Sequence, residues 1–153
     1  MGLKNWQGQG PNYVPAYQAS GTPFVTSSLG NTVTDTPSRI EFPYVTRWIQ
    51  VTNTSEHPIR VGFSVHGVNG AGGSVSGSRN ETSSPADNQN YFVISGSGGN
   101  SPSSLRLELR TKELYFRRDD ASNAGFSLVA GLTGIQDQQF PTLTGSSGFR
   151  GVG

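Results

Sequence analysis

The chain has 153 residues, with 11 Lys plus Arg against 10 Asp plus Glu, a formal net charge of +1 and only 14% charged residues. This near-neutral balance lacks the excess basic charge typical of nucleic-acid-binding and anionic-membrane-binding proteins. Hydrophobic residues make up 32% of the chain, which predicts a thin core such as the one between two packed sheets. With no cysteine, a disulfide framework, a thiolate metal site and a cysteine nucleophile are excluded.

Residues 1–21 mix Gly and Pro with apolar side chains and follow neither the helical nor the strand period. We interpret this segment as an arm that precedes the folded domain. A purely flexible tail rarely carries three aromatic residues. We therefore expect Trp6, Tyr13 and Tyr17 to dock on a surface, either that of their own domain or that of a neighbouring molecule.

The chain shows no targeting or membrane-spanning segment. Its first ten residues contain one lysine and no apolar run, so no secretory signal peptide is predicted. The longest apolar-leaning stretch, residues 126–135, is far shorter than the roughly 20 residues of a membrane span.

Short β-strand signals separated by turn residues follow the arm. Residues 24–26 form a weak strand, and residues 39–44 alternate between apolar and polar side chains. Pro43 cannot donate to a β-ladder, so we expect a bend or bulge there, after which the alternation changes parity over residues 45–52. This change leaves Trp48 among polar neighbours on the outer face.

The clearest alternation predicts a strand over residues 59–66. Residues 67–90 are almost devoid of apolar side chains, and polar loops of this length are usually functional or disordered. Residues 90–94 form a short strand that is apolar on both faces, which favours a central position in a sheet.

Residues 105–110 contain good helix formers, but their leucines alternate strictly with charged residues, which favours a strand. A tight connection at residues 111–112 would make a hairpin with Leu114 and Phe116 directed inward. A last alternating strand is predicted over residues 126–132.

Together these signals predict one all-β domain over residues 22–135, a β-sandwich of two antiparallel sheets, followed by a polar tail over residues 136–153. Jelly-roll and immunoglobulin-like topologies fit the pattern comparably. The absence of a cysteine pair does not decide between them, because many sandwiches lack one.

No catalytic or metal-binding constellation is predicted. His57 and His66 fall at opposite ends of the predicted strand, too far apart to share a metal ion. The glycine run at residues 70–74 has no following lysine or helix signal, and residues 119–120 read as a charge-balanced turn beside two arginines. We therefore expect a protein that is not an enzyme, with no cofactor and no small-molecule substrate.

Five of the eleven basic residues lie in residues 106–118, interleaved with Tyr115 and Phe116, a pattern compatible with single-stranded nucleic acid. Neighbouring acidic residues nearly cancel this charge, which argues against nucleic acid as the partner. Arg outnumbers Lys nine to two, and Arg is favoured at protein interfaces. Asn53 and Asn80 match the glycosylation sequon, but without a signal peptide the match does not predict modification.

Four segments together resemble the small single jelly-roll penton proteins of large icosahedral double-stranded DNA viruses, most closely the chlorella-virus type: Phe42–Val51, Ile59–Ser64, Glu113–Phe116 and Phe126–Ile135. The resemblance covers about residues 22–135 and rests on strand pattern and phrase-level similarity. It implies a jelly roll of two four-stranded sheets, five copies of which form a ring at each capsid vertex. It further implies location in the virion, contacts with the major and minor capsid proteins, and no catalytic residues.

A five-fold ring requires a heterologous interface, in which one patch of each subunit meets a different patch of the next. Because aromatic and Arg side chains dominate interface hot spots, Trp48 and the group Tyr115, Arg117 and Arg118 are candidate subunit contacts. Ordinary exposure or packing within the chain is the alternative interpretation.

Two further expectations concern partners. The arm aromatics Trp6, Tyr13 and Tyr17 are candidate contacts to inner capsid proteins. In a different functional class, the chain would be a carbohydrate- or receptor-binding β-sandwich, with exposed aromatics stacked on sugar rings and the loop 67–90 holding the ligand.

Overall fold

The computed structural model describes residues 21–69, 90–96, 103–144, 147–149 and 151–153. The strands among them are β1 (Thr22–Val33), β2 (Ser38–Glu41), β3 (Tyr44–Asn53), β4 (Ile59–Gly62), β5 (Tyr91–Ile94), β6 (Ser103–Leu107), β7 (Glu113–Arg118) and β8 (Ala124–Gln136). Two short helices accompany them: α1 (Val65–Asn69) and a 3-10 helix (Asp137–Gln139). The arm residues Trp6, Tyr13 and Tyr17, the glycine run 70–74 and Asn80 lie outside the described residues.

The strands form two antiparallel four-stranded sheets. Sheet I has the order β1-β8-β3-β6, and sheet II has the order β2-β7-β4-β5. The predicted all-β sandwich is therefore confirmed. The first strand pairs with the last, the second with the seventh, the third with the sixth and the fourth with the fifth. The chain thus forms a nested hairpin in which strands of the first half, β1 to β4, pair with strands of the second half, β5 to β8, in both sheets.

The core lies between the inward faces of the two sheets. On β8, the predicted inward residues Phe126, Leu128, Ala130 and Leu132 are all buried. From sheet II, Leu114 and Phe116 are fully buried, as their alternation predicts, and the Phe116 ring stacks on Phe126 with centroids 4.1 Å apart. Each buried leucine or phenylalanine among them contributes about 1.5–3 kcal/mol by leaving water.

A buried asparagine ties the two sheets together at one end. Asn53 is the last residue of β3 and is fully buried. Its amide nitrogen donates to the carbonyl oxygens of His57 (2.8 Å), Ile94 (3.1 Å) and Ser95 (3.1 Å). Its Oδ1 accepts from the backbone N–H of Ser55 (2.9 Å) and from its hydroxyl (2.7 Å). Because Ile94 ends β5, the side chain joins an end of sheet I to an end of sheet II.

The predicted break at Pro43 is a passage between the sheets. β2 belongs to sheet II and β3 to sheet I. Between them, Phe42 is buried in the core and its N–H donates to the carbonyl of Lys112 at 2.8 Å. The two sheets face each other across the core, so the side that faces the core is opposite in β2 and β3. The alternation of apolar and polar residues therefore changes parity after Pro43.

The strand predicted to run to His66 ends at Gly62, and this part of the prediction is wrong. The Ser64 hydroxyl oxygen accepts a hydrogen bond from the N–H of Gly67 at 2.9 Å, which is the contact of a helix N-cap. Val68 of the resulting helix α1 covers Gly62, where an added Cβ would lie 3.2 Å from the Val68 Cβ. A capped turn thus overrides the strand alternation.

Two further predictions about strand partners are wrong. The hairpin predicted at residues 111–112 does not form, because β6 pairs in sheet I and β7 in sheet II, although the choice of strand over helix is confirmed. β5 lies at the end of the order of sheet II rather than at its centre, and Val93 on it is 45% exposed. Within the described part of the chain, the helices are too short and polar to span a bilayer.

Candidate functional site: the outer faces of the two sheets

The outer face of sheet I is almost free of charge. Face I consists of the outward residues in register across its four strands: Pro23, Val25, Ser27, Trp48, Gln50, Thr52, Ser104, Arg106, Ser127, Val129 and Gly131. Of these, Arg106 alone is charged, and it forms an ion pair of 2.9 Å with Glu108. Val25 is 69% exposed and lies opposite Val129. Face I is therefore built mainly from neutral side chains, with an exposed valine on its outermost strand, β1.

Trp48 lies on face I, as predicted, and contacts two neighbouring strands. Its indole packs against Gly131 of β8, where an added Cβ would lie 2.7 Å from Cε2 of the ring. The Arg106 guanidinium of β6 lies 4.3 Å from the ring centroid, a cation–π contact of about 0.5–2 kcal/mol. The half-buried ring is held within its own chain, and its predicted subunit contact stays a prediction.

The outer face of sheet II is charged, but its charges are paired. Face II consists of Arg39, Glu41, Arg60, Tyr91, Val93, Glu113, Tyr115 and Arg117. Arg39 pairs with both Glu41 and Glu113, Arg60 with Asp119, and Arg117 with Asp35. The two faces of the sandwich therefore differ in chemistry: one is neutral by composition and the other by ion pairing.

Tyr115 belongs to a network around a buried carboxylate. The Glu113 side chain is only 2% exposed, and its Oε2 accepts from Nε of Arg39 at 2.6 Å and from the Tyr115 hydroxyl at 3.2 Å. Burial, together with the negative charge of Glu113, raises the pKa of Tyr115 to about 12. The hydroxyl therefore remains a hydrogen-bond donor at physiological pH.

Both arginines of the predicted contact group hold loops. Arg117 donates through Nε and NH2 to Asp35, at 2.8 Å and 2.7 Å, and through NH1 to the carbonyl of Asn69. Its hydrogen bond and positive charge lower the pKa of Asp35. Arg118 donates to the carbonyl of Ala121 at 2.7 Å. The structure therefore brings the predicted group together along β7, with its arginines already bonded within the chain.

The predicted charge-balanced turn at residues 119–120 is confirmed. Asp119 pairs with Arg60 at 2.5 Å. Asp120 accepts from the Ser122 N–H at 2.8 Å and contacts Nδ1 of His57 at 3.0 Å, and these contacts lower its pKa. Among the described residues, no three His, Asp or Glu side chains form a group that could hold a metal ion.

Sequence reasoning missed most of face I, including Val25 and Val129. A signal was available: the outward positions of the alternating strands carry Ser, Thr, Gln and Val and almost no charge. That signal becomes informative only once the strand order places these positions side by side.

The chain matches no protein-family model, no curated protein and no solved structure.

Proposed function

We propose that the protein is a structural capsid protein whose copies form the pentameric vertex of an icosahedral virion. The nested pairing of eight strands in two four-stranded sheets supports the jelly-roll interpretation, and the jelly roll recurs in capsid proteins. Because a fold by itself does not define a function, the observation that carries the proposal is that face I has a single charged side chain, Arg106, whereas face II has several that form ion pairs.

Face I has the chemistry of a subunit contact. The fully buried part of a protein interface is depleted in charged residues, because each charge would lose its water. On face I the only charge, Arg106, is already held by Glu108 and by the ring of Trp48. Contact with another subunit therefore covers Val25, Val129 and the neighbouring hydroxyls at little electrostatic cost.

The two candidate groups lie on opposite sides of the sandwich. Trp48 lies on face I of sheet I, whereas Tyr115 and Arg117 lie on face II of sheet II. Each subunit of a closed ring contacts two neighbours through two different patches. Opposite faces meet this requirement, and the major and minor capsid proteins would contact the remaining surface and the arm.

The test introduces a charge at Val25, the exposed valine of face I on the outermost strand β1. Val25→Lys should leave the monomer as stable as the wild type, within about 0.5 kcal/mol, because the position is exposed. Burying an unpaired charge in a contact costs about 2–5 kcal/mol, so the subunit affinity should fall about 30-fold or more. The neutral, similarly shaped Val25→Thr is the matched control and should assemble normally. Native mass spectrometry at several protein concentrations measures both.

A monomeric wild-type protein at capsid-like concentrations would contradict the proposal, as would a Val25→Lys variant that assembles like Val25→Thr. The carbohydrate-binding alternative depended on exposed aromatics, and the Trp48 ring already packs on Gly131 and Arg106. Saturable glycan binding by an isolated monomer would favour that alternative.

A further inference from the structure

A groove beside helix α1 holds the last two described residues of the chain, Val152 and Gly153. The carbonyl oxygen of Val152 accepts a hydrogen bond of 2.5 Å from the Ser64 hydroxyl, and that hydroxyl in turn accepts from the N–H of Gly67. Ser64 is 2% exposed, and Gly153 is buried. We call this site, formed by Ser64, Gly67 and Asn90, the α1 groove.

The α1 groove fits a bare backbone. A Cβ on Gly67 would lie 2.5 Å from the carbonyl oxygen of Val152 and 2.9 Å from that of Asn90. Gly153 has a φ of 89°, in the left-handed region, and a Cβ there would lie 2.5 Å from Cα of Gly67. Two glycines thus allow two backbones to approach more closely than any side chain permits.

The segment that enters the groove is attached to the domain at a second, separate point. Phe140 packs against Val45 and Ile135, and its carbonyl accepts from the Lys112 ammonium at 3.1 Å. Between this anchor and the groove, Gly148 and Gly151 are exposed, with positive φ and open space around them. Backbone rotation at Gly151 can redirect residues 152–153 while the hydrogen bonds that the Thr144 carbonyl accepts from Ser147 and Phe149 stay in place.

We propose that in the assembly residues 152–153 of one copy occupy the α1 groove of a neighbouring copy. The contacts are the same whether the segment docks on its own chain or on the next, so exchange adds to the entropic cost of association only the rearrangement of the connecting segment. One-way exchange from each subunit to the next is heterologous and closes in a ring. This inference rests on the proposed vertex function and identifies a second tie between its subunits.

The test combines two complementary variants, one that lacks a usable groove and one that lacks the segment. Gly67→Val closes the groove but keeps the segment, whereas deletion of residues 152–153 removes the segment but keeps the groove. With exchange, each variant alone should assemble at least tenfold more weakly than the wild type. A 1:1 mixture should give a heterodimer, because one copy supplies the segment and the other the groove. Native mass spectrometry resolves the species by the mass difference between the variants.

Circular dichroism and urea unfolding verify that each variant is folded, and Gly67→Ala is the milder closure if Gly67→Val does not fold. A mixture that stays monomeric would overturn the exchange. Variants that assemble alone as the wild type does would also overturn it, while leaving the vertex proposal intact. A heterodimer from the mixture together with a monomeric wild type would show that the groove can accept the segment of another copy, but it would refute both the vertex function and exchange in the wild type.

Discussion

Replacing Asn53 by alanine should destabilise the sandwich strongly, because this side chain connects the ends of both sheets. Asn53→Ala removes the donors to the carbonyls of His57, Ile94 and Ser95 and the acceptor for Ser55. Alanine can replace none of these hydrogen bonds.

The magnitude follows from how accessible each partner is to water. The bond to the Ile94 carbonyl is buried, and leaving such a group unpaired costs about 1–3 kcal/mol. The bonds to His57 and Ser95 are only partly buried, so water replaces them in part and each loss costs about 0.5–1.5 kcal/mol. The sum is about 2–6 kcal/mol, a large share of the roughly 5–15 kcal/mol that keeps a domain folded.

Urea unfolding followed by circular dichroism measures this difference as a lower midpoint with an unchanged m-value. The matched control is the neighbouring Thr52→Ala, which removes only an exposed hydrogen bond to Ser104 and should change the free energy of unfolding by no more than about 0.5 kcal/mol. If Asn53→Ala lost less than about 1 kcal/mol, or no more than Thr52→Ala, Asn53 would not be what holds the sheet ends together.

Three other predictions concern the two faces and the core. In a spectrophotometric titration, Tyr115 should ionise near pH 12. Because this folded-state pKa exceeds the usual value of about 10, the free energy of unfolding should fall as the pH rises from about 10 to about 12. A Tyr115→Phe variant that keeps the late-titrating signal would contradict this assignment. Gly131→Val should displace the Trp48 indole, shifting its fluorescence to longer wavelength, and an unchanged emission spectrum would refute the packing. Phe116→Ala should cost about 3–5 kcal/mol through the cavity it leaves against Phe126, and a loss below about 1.5 kcal/mol in urea unfolding would show that the stack matters less than its burial indicates.

Alternation in the sequence predicted which side chains point inward but not which strands pair. Leu114 and Phe116 are buried as predicted, yet the hairpin assigned to residues 111–112 is a crossing between sheets. Alternation shows only which face of a strand is buried and which is exposed to solvent, and it does not indicate which strand lies beside it. At α1 the failure was local, because the Ser64 hydroxyl caps a helix where the alternation predicted that the strand continues beyond Gly62.

For the candidate site, likewise, the sequence predicted the direction of a side chain but not its neighbours. The outward position of Trp48 followed from the parity change after Pro43. Its contacts with Gly131 and Arg106 could not be predicted, because both residues are distant in sequence and are brought beside it only by the strand order. Pairwise registers of this kind are a tertiary property, set by which strands the nested hairpin brings together.

The nested strand order also determines when the strands of sheet I can pair during translation. β8 lies between β1 and β3 in sheet I, so those two strands have no ladder linking them until the last strand has left the ribosome. A topology dominated by such distant pairings folds slowly, and its early strands must remain apart while translation continues. Because face I exists only after β8 is inserted, a nascent chain cannot present that face to its neighbours on the same polysome.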